Sequence, residues 1–339
     1  MPTLAQIARL AGVSVPTASR VANGRENVAP DTRVRVEEAM RRTGYVPRPR
    51  NDLSRTSPLV DVVVHRLGSS WSGELLRGAE EAAAERGLSI VVSGRLAEGP
   101  AGRPMGGWLD RLHARGTAGV LFSLGRLTAT QYLWLARQRV PYVMVDPGVT
   151  PPTGVSTVST TNGAGGRSAT EHLLALGHRR IAVLGGRRHM LCSAARVEGY
   201  RAAMAAAGVQ LPGGYVRFAD FDAACAERLT YELLDMPEPP TAVFACSDEM
   251  AVAVIRAAAR RGLRVPQDLS VVGFDDIPEA GWTIPELTTV RQPIADMAAH
   301  GMRTLMDMML GESPDVTHAE LPTRLIVRRS TAVAVLAAY

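Results

Sequence analysis

LAQIARLAGVSVPTASRVANG, residues 4–24, holds two short amphipathic stretches joined by Gly12-Val13-Ser14. Thr3 and Gln6 have capping-box spacing, and Ile7, Leu10 and Ala11 make one apolar stripe. Ser14 can cap a second helix that runs through Asn23. A third helix is expected from Pro30 at its start, the apolar Val34, Val36, Ala39 and Met40, and Gly44 at its end. Two short helices around a Gly-containing turn, followed by a third, are the outline of a helix-turn-helix head. The second helix should turn Ala18 and Val21 inward and present Val15, Pro16, Thr17, Ser19, Arg20 and Asn23. Short hydroxyls and Asn suit phosphate oxygens, and an Arg fork suits the two guanine acceptors of the major groove. Arg20 is therefore the candidate base reader; the plainer alternative is a three-helix module with an exposed Arg.

Charge agrees with that reading. Residues 1–57 hold ten Arg against five acidic side chains, and the remaining 282 residues hold 28 against 28, so the whole formal excess of +5 sits in the first sixth of the chain. All 38 basic residues are Arg and none is Lys. This excludes a P-loop, a Schiff-base enzyme and a protein kinase, each of which needs its lysine. Cys192, Cys225 and Cys246 are widely spaced, so buried free thiols are expected rather than a disulfide framework or zinc site. No apolar run approaches the roughly 18 residues of a membrane span, and the amino terminus lacks a secretory core, so the protein is expected to be soluble and cytoplasmic. Residues 48–58, RPRNDLSRTSP, lack periodicity and read as a linker or disordered tether.

Beyond the linker the pattern changes. Apolar runs at 59–64, 88–92, 118–122, 142–145, 181–184, 242–245 and 270–274 alternate with helical patterns at 73–86, 128–138, 165–176, 193–207, 223–234 and 248–261. Gly87, Gly177, Gly208 and Gly262 stand at helix ends. Such alternation predicts α/β architecture with parallel sheets covered on both faces, and its length predicts two doubly wound units. Polar residues follow strands where open α/β sheets bind ligands: Asp146 after PYVMV, Ser247 and Asp248 after AVFAC, Asp275 after SVVGF. Carboxylates there can accept from sugar hydroxyls, Arg196 can donate, and Trp71 and Phe221 can pack against a sugar ring. Plainer roles stand beside these: Asp275 and Asp276 as turn caps, Arg196 as an ion-pair partner of Glu198 or Glu227, Phe221 as core. The Gly163-Ala164-Gly165-Gly166 run is expected to shape a turn. GxSxG, HExxH and a post-strand GxGxxG are missing, and the histidines lack metal spacing, so no catalysis, metal or cofactor is expected.

GVSVPTASRVANG, TRVRVEEAMRRTGYVP, LGHRRIAVLGG, SVVGFDD and LTTVRQP, in this order, resemble the lactose-repressor (LacI/GalR) family of bacterial transcription regulators. The resemblance implies a homodimeric repressor on a near-palindromic operator, with a periplasmic-binding-protein-like body. It implies base reading by Val15, Pro16 and Arg20, and phosphate contacts by Ser14, Thr17, Ser19 and Asn23. Leu53 would be the minor-groove wedge of a hinge helix, although the linker is shorter than usual and carries Pro49. Effector contacts would come from Asp146, Arg196, Phe221, Ser247, Asp275 and Gln292, with Ser69 and Trp71 in the first loop. The implied domains are 1–47 for the head, 48–58 for the hinge and 59–339 for the effector and dimerisation body. The body would divide into 58–157 plus 290–318, and 158–289 plus 319–339. A chain ending without a leucine heptad tail is expected to be a dimer. The effector is expected to be a sugar, with mono- or oligosaccharides from plant polysaccharides first. A purine-responsive regulator, a sugar receptor without DNA role, and an enzyme holding a metal on Asp275 and Asp276 are the rivals.

Overall fold

The computed structural model describes residues 4–22, 28–43, 59–94, 106–312, 314 and 316–334. These fall into two compact units, a head within residues 1–58 and a body within 59–339. The head consists of α1 (Leu4–Ala11), α2 (Val15–Ala22) and α3 (Pro30–Thr43). Its core is small: Ile7, Ala8 and Ala11 from α1, Ala18 and Val21 from α2, Val36 and Ala39 from α3. Alanine at most of these positions lets three short helices approach closely.

The body runs β1 (Leu59–Val64), α4 (Ser70–Ala84), β2 (Ser89–Gly94), α5 (Gly106–Arg115), β3 (Gly119–Ser123), α6 (Ala129–Gln138), β4 (Tyr142–Val145) and β5 (Thr157–Thr160). It continues as α7 (Asn162–Ala175), β6 (Ile181–Gly185), α8 (Leu191–Ala206), β7 (Val216–Phe218), α9 (Ala223–Leu234), β8 (Ala242–Ala245), α10 (Asp248–Arg260) and β9 (Ser270–Asp275). A 3₁₀ turn at Pro278–Gly281 leads to β10 (Thr288–Arg291), α11 (Ile294–Met309), β11 (His318–Leu321) and β12 (Arg324–Ile326). Among the described residues the strands make two six-stranded sheets, ordered β11-β5-β4-β3-β1-β2 and β12-β10-β9-β8-β6-β7. Every pairing is parallel except β10 with β12. The central strands are buried on both faces, as the unbroken apolar runs VLFS, IAVLG and SVVGF require.

We call the first sheet and its helices lobe 1, the second lobe 2. The chain passes between them after Thr160, Arg291 and Leu321, two or three residues beyond the expected ends at 157, 289 and 318, because β5, β10 and β11 stay paired in their sheets up to those residues. Two of the passages are tied together: Thr161 Oγ1 lies 3.0 Å from Thr323 Oγ1 and accepts from the Thr323 amide at 2.9 Å. The four expected helix-ending glycines all have positive φ, between 67° and 89°.

One expectation is corrected. The Gly163–Gly166 run is not a turn but lies inside α7. A Cβ on Gly166 would sit 2.2 Å from the Arg196 carbonyl oxygen, and one on Gly199 2.1 Å from that of Gly163. The glycines allow α7 and α8 to pack backbone against backbone, which delivers Arg196 to the middle of lobe 2.

Candidate functional site

In the head, Ser14 caps α2: its Oγ accepts from the Thr17 amide at 3.3 Å and lies 2.8 Å from Thr17 Oγ1. Ser14, Val15, Pro16 and Arg20 are exposed, while Thr17 and Ser19 are half-buried above Ala18 and Val21. Of the residues expected on the outward face, Val15, Pro16 and Arg20 are exposed and Thr17 and Ser19 only partly so. Asn23, Leu53 and the linker arginines Arg48, Arg50 and Arg55 lie outside the described residues.

In the body, a cavity of about 290 Å³ opens between the lobes. Seven of the eight expected effector residues line it: Ser69, Trp71, Asp146, Arg196, Phe221, Ser247 and Asp275. The eighth, Gln292, lies behind Asp275 and donates from Nε2 to Asp275 Oδ1 at 2.5 Å. The carboxyl-end position of each strand explains the assembly. Asp146 follows β4, Ser247 follows β8 and Asp275 ends β9, so three strand ends converge on one crevice.

Arg196 organises the floor. It is 2% exposed, donates from Nε to Asn162 Oδ1 at 2.8 Å and from Nη1 to the Cys246 carbonyl at 2.7 Å, and reaches Asp275 Oδ1 at 3.5 Å. Its guanidinium lies over the Phe274 ring at 3.7 Å. Burial opposes its charge, but Asp275, Cys192, Asp146 and Cys246 together outweigh this and hold its pKa above the ordinary value. Asn162 in turn donates from Nδ2 to Asp146 Oδ1 at 3.4 Å. A continuous polar chain therefore runs Asp146, Asn162, Arg196, Asp275, Gln292. The plainer role for Arg196 is overturned: Glu198 pairs with Arg201, and Glu227 with Arg256 and Arg260.

The floor has acceptors to spare. Asp146 Oδ2 and Gln292 Oε1 are buried without a hydrogen-bond partner. Burial pushes both carboxyls up, Asp146 against the pull of Arg196 and Asp275 to about 7. Ser69 and Ser247 are helix caps whose oxygens accept from the Ser72 and Met250 amides at 3.4 and 3.3 Å. Each hydroxyl keeps its proton for another acceptor. Phe221 is half-buried: it packs against the apolar core of lobe 2 while lining the cavity, and its ring covers Gly186, where a Cβ would stand 2.1 Å away.

The backbone here is strained. Asp146, Asp220, Phe221, Asp275 and Asp276 all have positive φ, which costs roughly 1–3 kcal/mol each for non-glycine residues and persists where surroundings enforce it. Asp276 points away from Asp275 and is clamped by Arg291 Nε and Arg328 Nη2, both at 2.6 Å. The adjacent aspartates do not form a metal pair. Among the described residues no His, Cys, Asp or Glu cluster could hold a metal ion, and no helix is long and apolar enough to cross a membrane.

Sequence reasoning missed Asn162, which links Asp146 to Arg196, and the mouth residues His65, Arg66, Arg187, Asp220, Asp222 and Glu249. The Thr-Thr-Asn before the glycine run was the available signal for Asn162; loop side chains at the mouth carry none.

Residues 3–48 match the family described as bacterial regulatory proteins, lacI family, and residues 170–331 match the periplasmic binding protein-like domain. The HTH-type transcriptional regulator CelR of Thermobifida fusca is 37% identical over 97% of this chain and 98% of its own length. The HTH-type transcriptional repressor CytR of Escherichia coli strain K12 is 31% identical over 97% and 96%. Two solved structures are similar throughout. A transcriptional regulator CelR–cellobiose complex has a TM-score of 0.74 at 35% identity, covering 97% of this chain and 100% of that one. The lac repressor dimer bound to operator and the anti-inducer ONPF has a TM-score of 0.70 at 28% identity, covering 98% and 99%. The match thus spans head and body along nearly the whole of each chain, and this chain belongs to the lacI family of bacterial regulatory proteins.

Proposed function

We propose that this chain is a transcriptional repressor that binds a near-palindromic DNA operator as a homodimer in the cytoplasm, and whose operator affinity is set by a sugar held between the lobes. It is a regulator and not an enzyme. The observation that carries the ligand class is the excess of buried acceptors in the floor. Asp146 Oδ2 lacks a donor at the cavity and Gln292 Oε1 lacks one behind it, while Nε and Nη1 of Arg196 are already committed to Asn162, the Cys246 carbonyl and Asp275. A ligand rich in hydroxyl donors satisfies such a floor, whereas a purine brings few donors and an acidic sugar adds repulsion. Trp71 and Phe221 line the same cavity with faces suited to a pyranose. The cellobiose in the similar CelR complex puts β-linked disaccharides of plant polysaccharides first among ligands to test.

The test begins with the full chain and a random DNA pool. Enrichment of one near-palindromic sequence is expected, and at least one of cellobiose, xylobiose or their monosaccharides should shift its affinity. Recovery of no preferred sequence would overturn the reading. Arg20→Ala should weaken that complex by about 1–3 kcal/mol while leaving sugar binding unchanged.

A further inference from the structure

The turn after β9 reaches in three directions within three residues. Asp275, at φ 121°, faces the cavity and is fixed by Gln292 and Arg196. Asp276, at φ 58°, turns outward into its two arginines. Ile277 crosses to the other lobe: it is 3% exposed and packs in the apolar cluster of lobe 1 that contains Val64, Trp71 and Leu75. Two residues on, Glu279 accepts a hydrogen bond from Ser70 Oγ, the first residue of α4 in lobe 1.

The turn has little freedom to move piecemeal. The Ile277 amide donates to Asp248 Oδ2 at 3.0 Å, and Asp248 Oδ1 accepts from Thr289 Oγ1 at 2.5 Å, with Asp248 wholly buried. A Cβ on Gly273 would stand 2.2 Å from Asp248 Oδ1, so strand, turn and helix are in direct contact. Two consecutive positive-φ aspartates, Asp275 held by Arg196 and Asp276 by Arg291 and Arg328, restrict the backbone of the turn. Whatever displaces Asp275 must carry Ile277 and Glu279 with it.

We infer that Ile277 and Glu279 are the positioning residues that couple occupancy of the cleft to the placement of lobe 1, through Trp71 and Ser70. Lobe 1 begins at β1, which follows the head and linker in the chain, so its placement is what the DNA-binding end can sense. The inference rests on the ligand-controlled reading proposed above. Ser70 and Glu279 lie outside the cavity lining, so their loss should leave the ligand's own contacts intact. Coupling between sites is defined by the ratio of affinities with and without the second ligand, commonly roughly 5–150-fold. This ratio separates coupling from binding.

The experiment uses the full chain, its selected operator, and cellobiose, xylobiose and adenosine as probes. Sugar affinity is measured by calorimetry, and operator affinity by fluorescence anisotropy with and without saturating probe. Glu279→Ala and Ser70→Ala should bind the active probe within about threefold of wild type, yet the probe-induced change in operator affinity should shrink at least about fivefold. Glu279→Gln keeps an acceptor for Ser70 and should retain most of the response. Ile277 lines the cavity as well as packing on Trp71, so Ile277→Ala is read at saturating probe only, where the operator response should shrink as it does in Glu279→Ala. Variants that bind the probe and respond as fully as wild type overturn the coupling alone. A wild type whose operator affinity none of the three probes moves overturns ligand control, and the coupling with it.

Discussion

The two walls of the cleft are built differently. Lobe 2 offers a floor of interlocked charges in which Arg196, Asp275 and Gln292 are each 6% exposed or less and bonded to one another. Lobe 1 offers Trp71, Leu124 and a capping serine, with Asp146 as its one carboxylate in the cavity, and at the mouth the half-exposed Arg66. A desolvated, fully oriented polar floor discriminates between ligands, because a mismatched ligand strands buried groups. An apolar wall supplies contact area and can shift without breaking hydrogen bonds. The contrast predicts selection by lobe 2 and response by lobe 1.

The sharpest break of that contrast is Arg196→Met. Removing one partner leaves the buried Asp275 and Asp146 facing no cation, which should cost about 3–5 kcal/mol of stability in urea unfolding and abolish sugar binding. A loss below about 1 kcal/mol would mean that the floor is not pre-organised.

Next in size is the pH response of Asp275. Burial raises its pKa to about 7, helped by the charges of Glu249 and Asp146 and opposed by Arg196 and Gln292. A carboxyl whose folded pKa exceeds its unfolded value stabilises the protonated fold, so unliganded stability should fall as pH rises between about 4 and about 7. A sugar hydroxyl donates to the ionised form, so binding should release a proton and strengthen with pH. Affinity is expected to rise about tenfold from pH 6 to pH 8 and then level off. In Asp275→Asn the slope should vanish along with most of the affinity; a persisting slope would move the titration to another group.

The same contrast explains what was legible beforehand. Alternating apolar runs located the central strands, and the strand-end rule placed Asp146, Ser247 and Asp275 in the crevice. The identity of Arg196's partner was not legible, since Glu198 and Glu227 are nearer in sequence than Asp275, 79 residues away. Nor was the divergence of Asp275 and Asp276, which depends on two positive φ angles that residue type does not advertise. The three-residue β7 and β12 and the edge strand β11 have too few apolar positions to show a period. The head was legible from its caps and stripes, whereas Ile277 carried no signal, because its burial is supplied by the other lobe.

A smaller effect is expected from the caps. Ser69→Ala and Ser247→Ala each remove an acceptor for one helix amide and should cost about 0.5–2 kcal/mol in thermal or urea unfolding. If selection belongs to lobe 2, the sugar affinity of Ser247→Ala should fall further than that of Ser69→Ala. Equal losses in calorimetry would give both walls the same role.

The smallest effect should come from the mouth, where Arg66 Nη2 meets both Glu249 oxygens at 2.9 and 2.6 Å across the cleft. This pair looks like a lock, but Arg66 is 48% and Glu249 29% exposed, so water screens both charges. A double-mutant cycle on Arg66→Ala and Glu249→Ala should give a coupling of about 0.2–1 kcal/mol. The coupling should shrink further as salt approaches 1 M, where the screening length is about 3 Å. At pH 8, where Asp275 is ionised with or without the charge of Glu249, ligand affinity should change less than in any variant of the buried floor. A coupling above about 2 kcal/mol, insensitive to salt, would show that lobe 1 is held across the cleft as tightly as lobe 2 is held within itself. Closure would then be governed at the mouth, and the turn carrying Ile277 would have to work against that lock rather than with a freely adjusting wall.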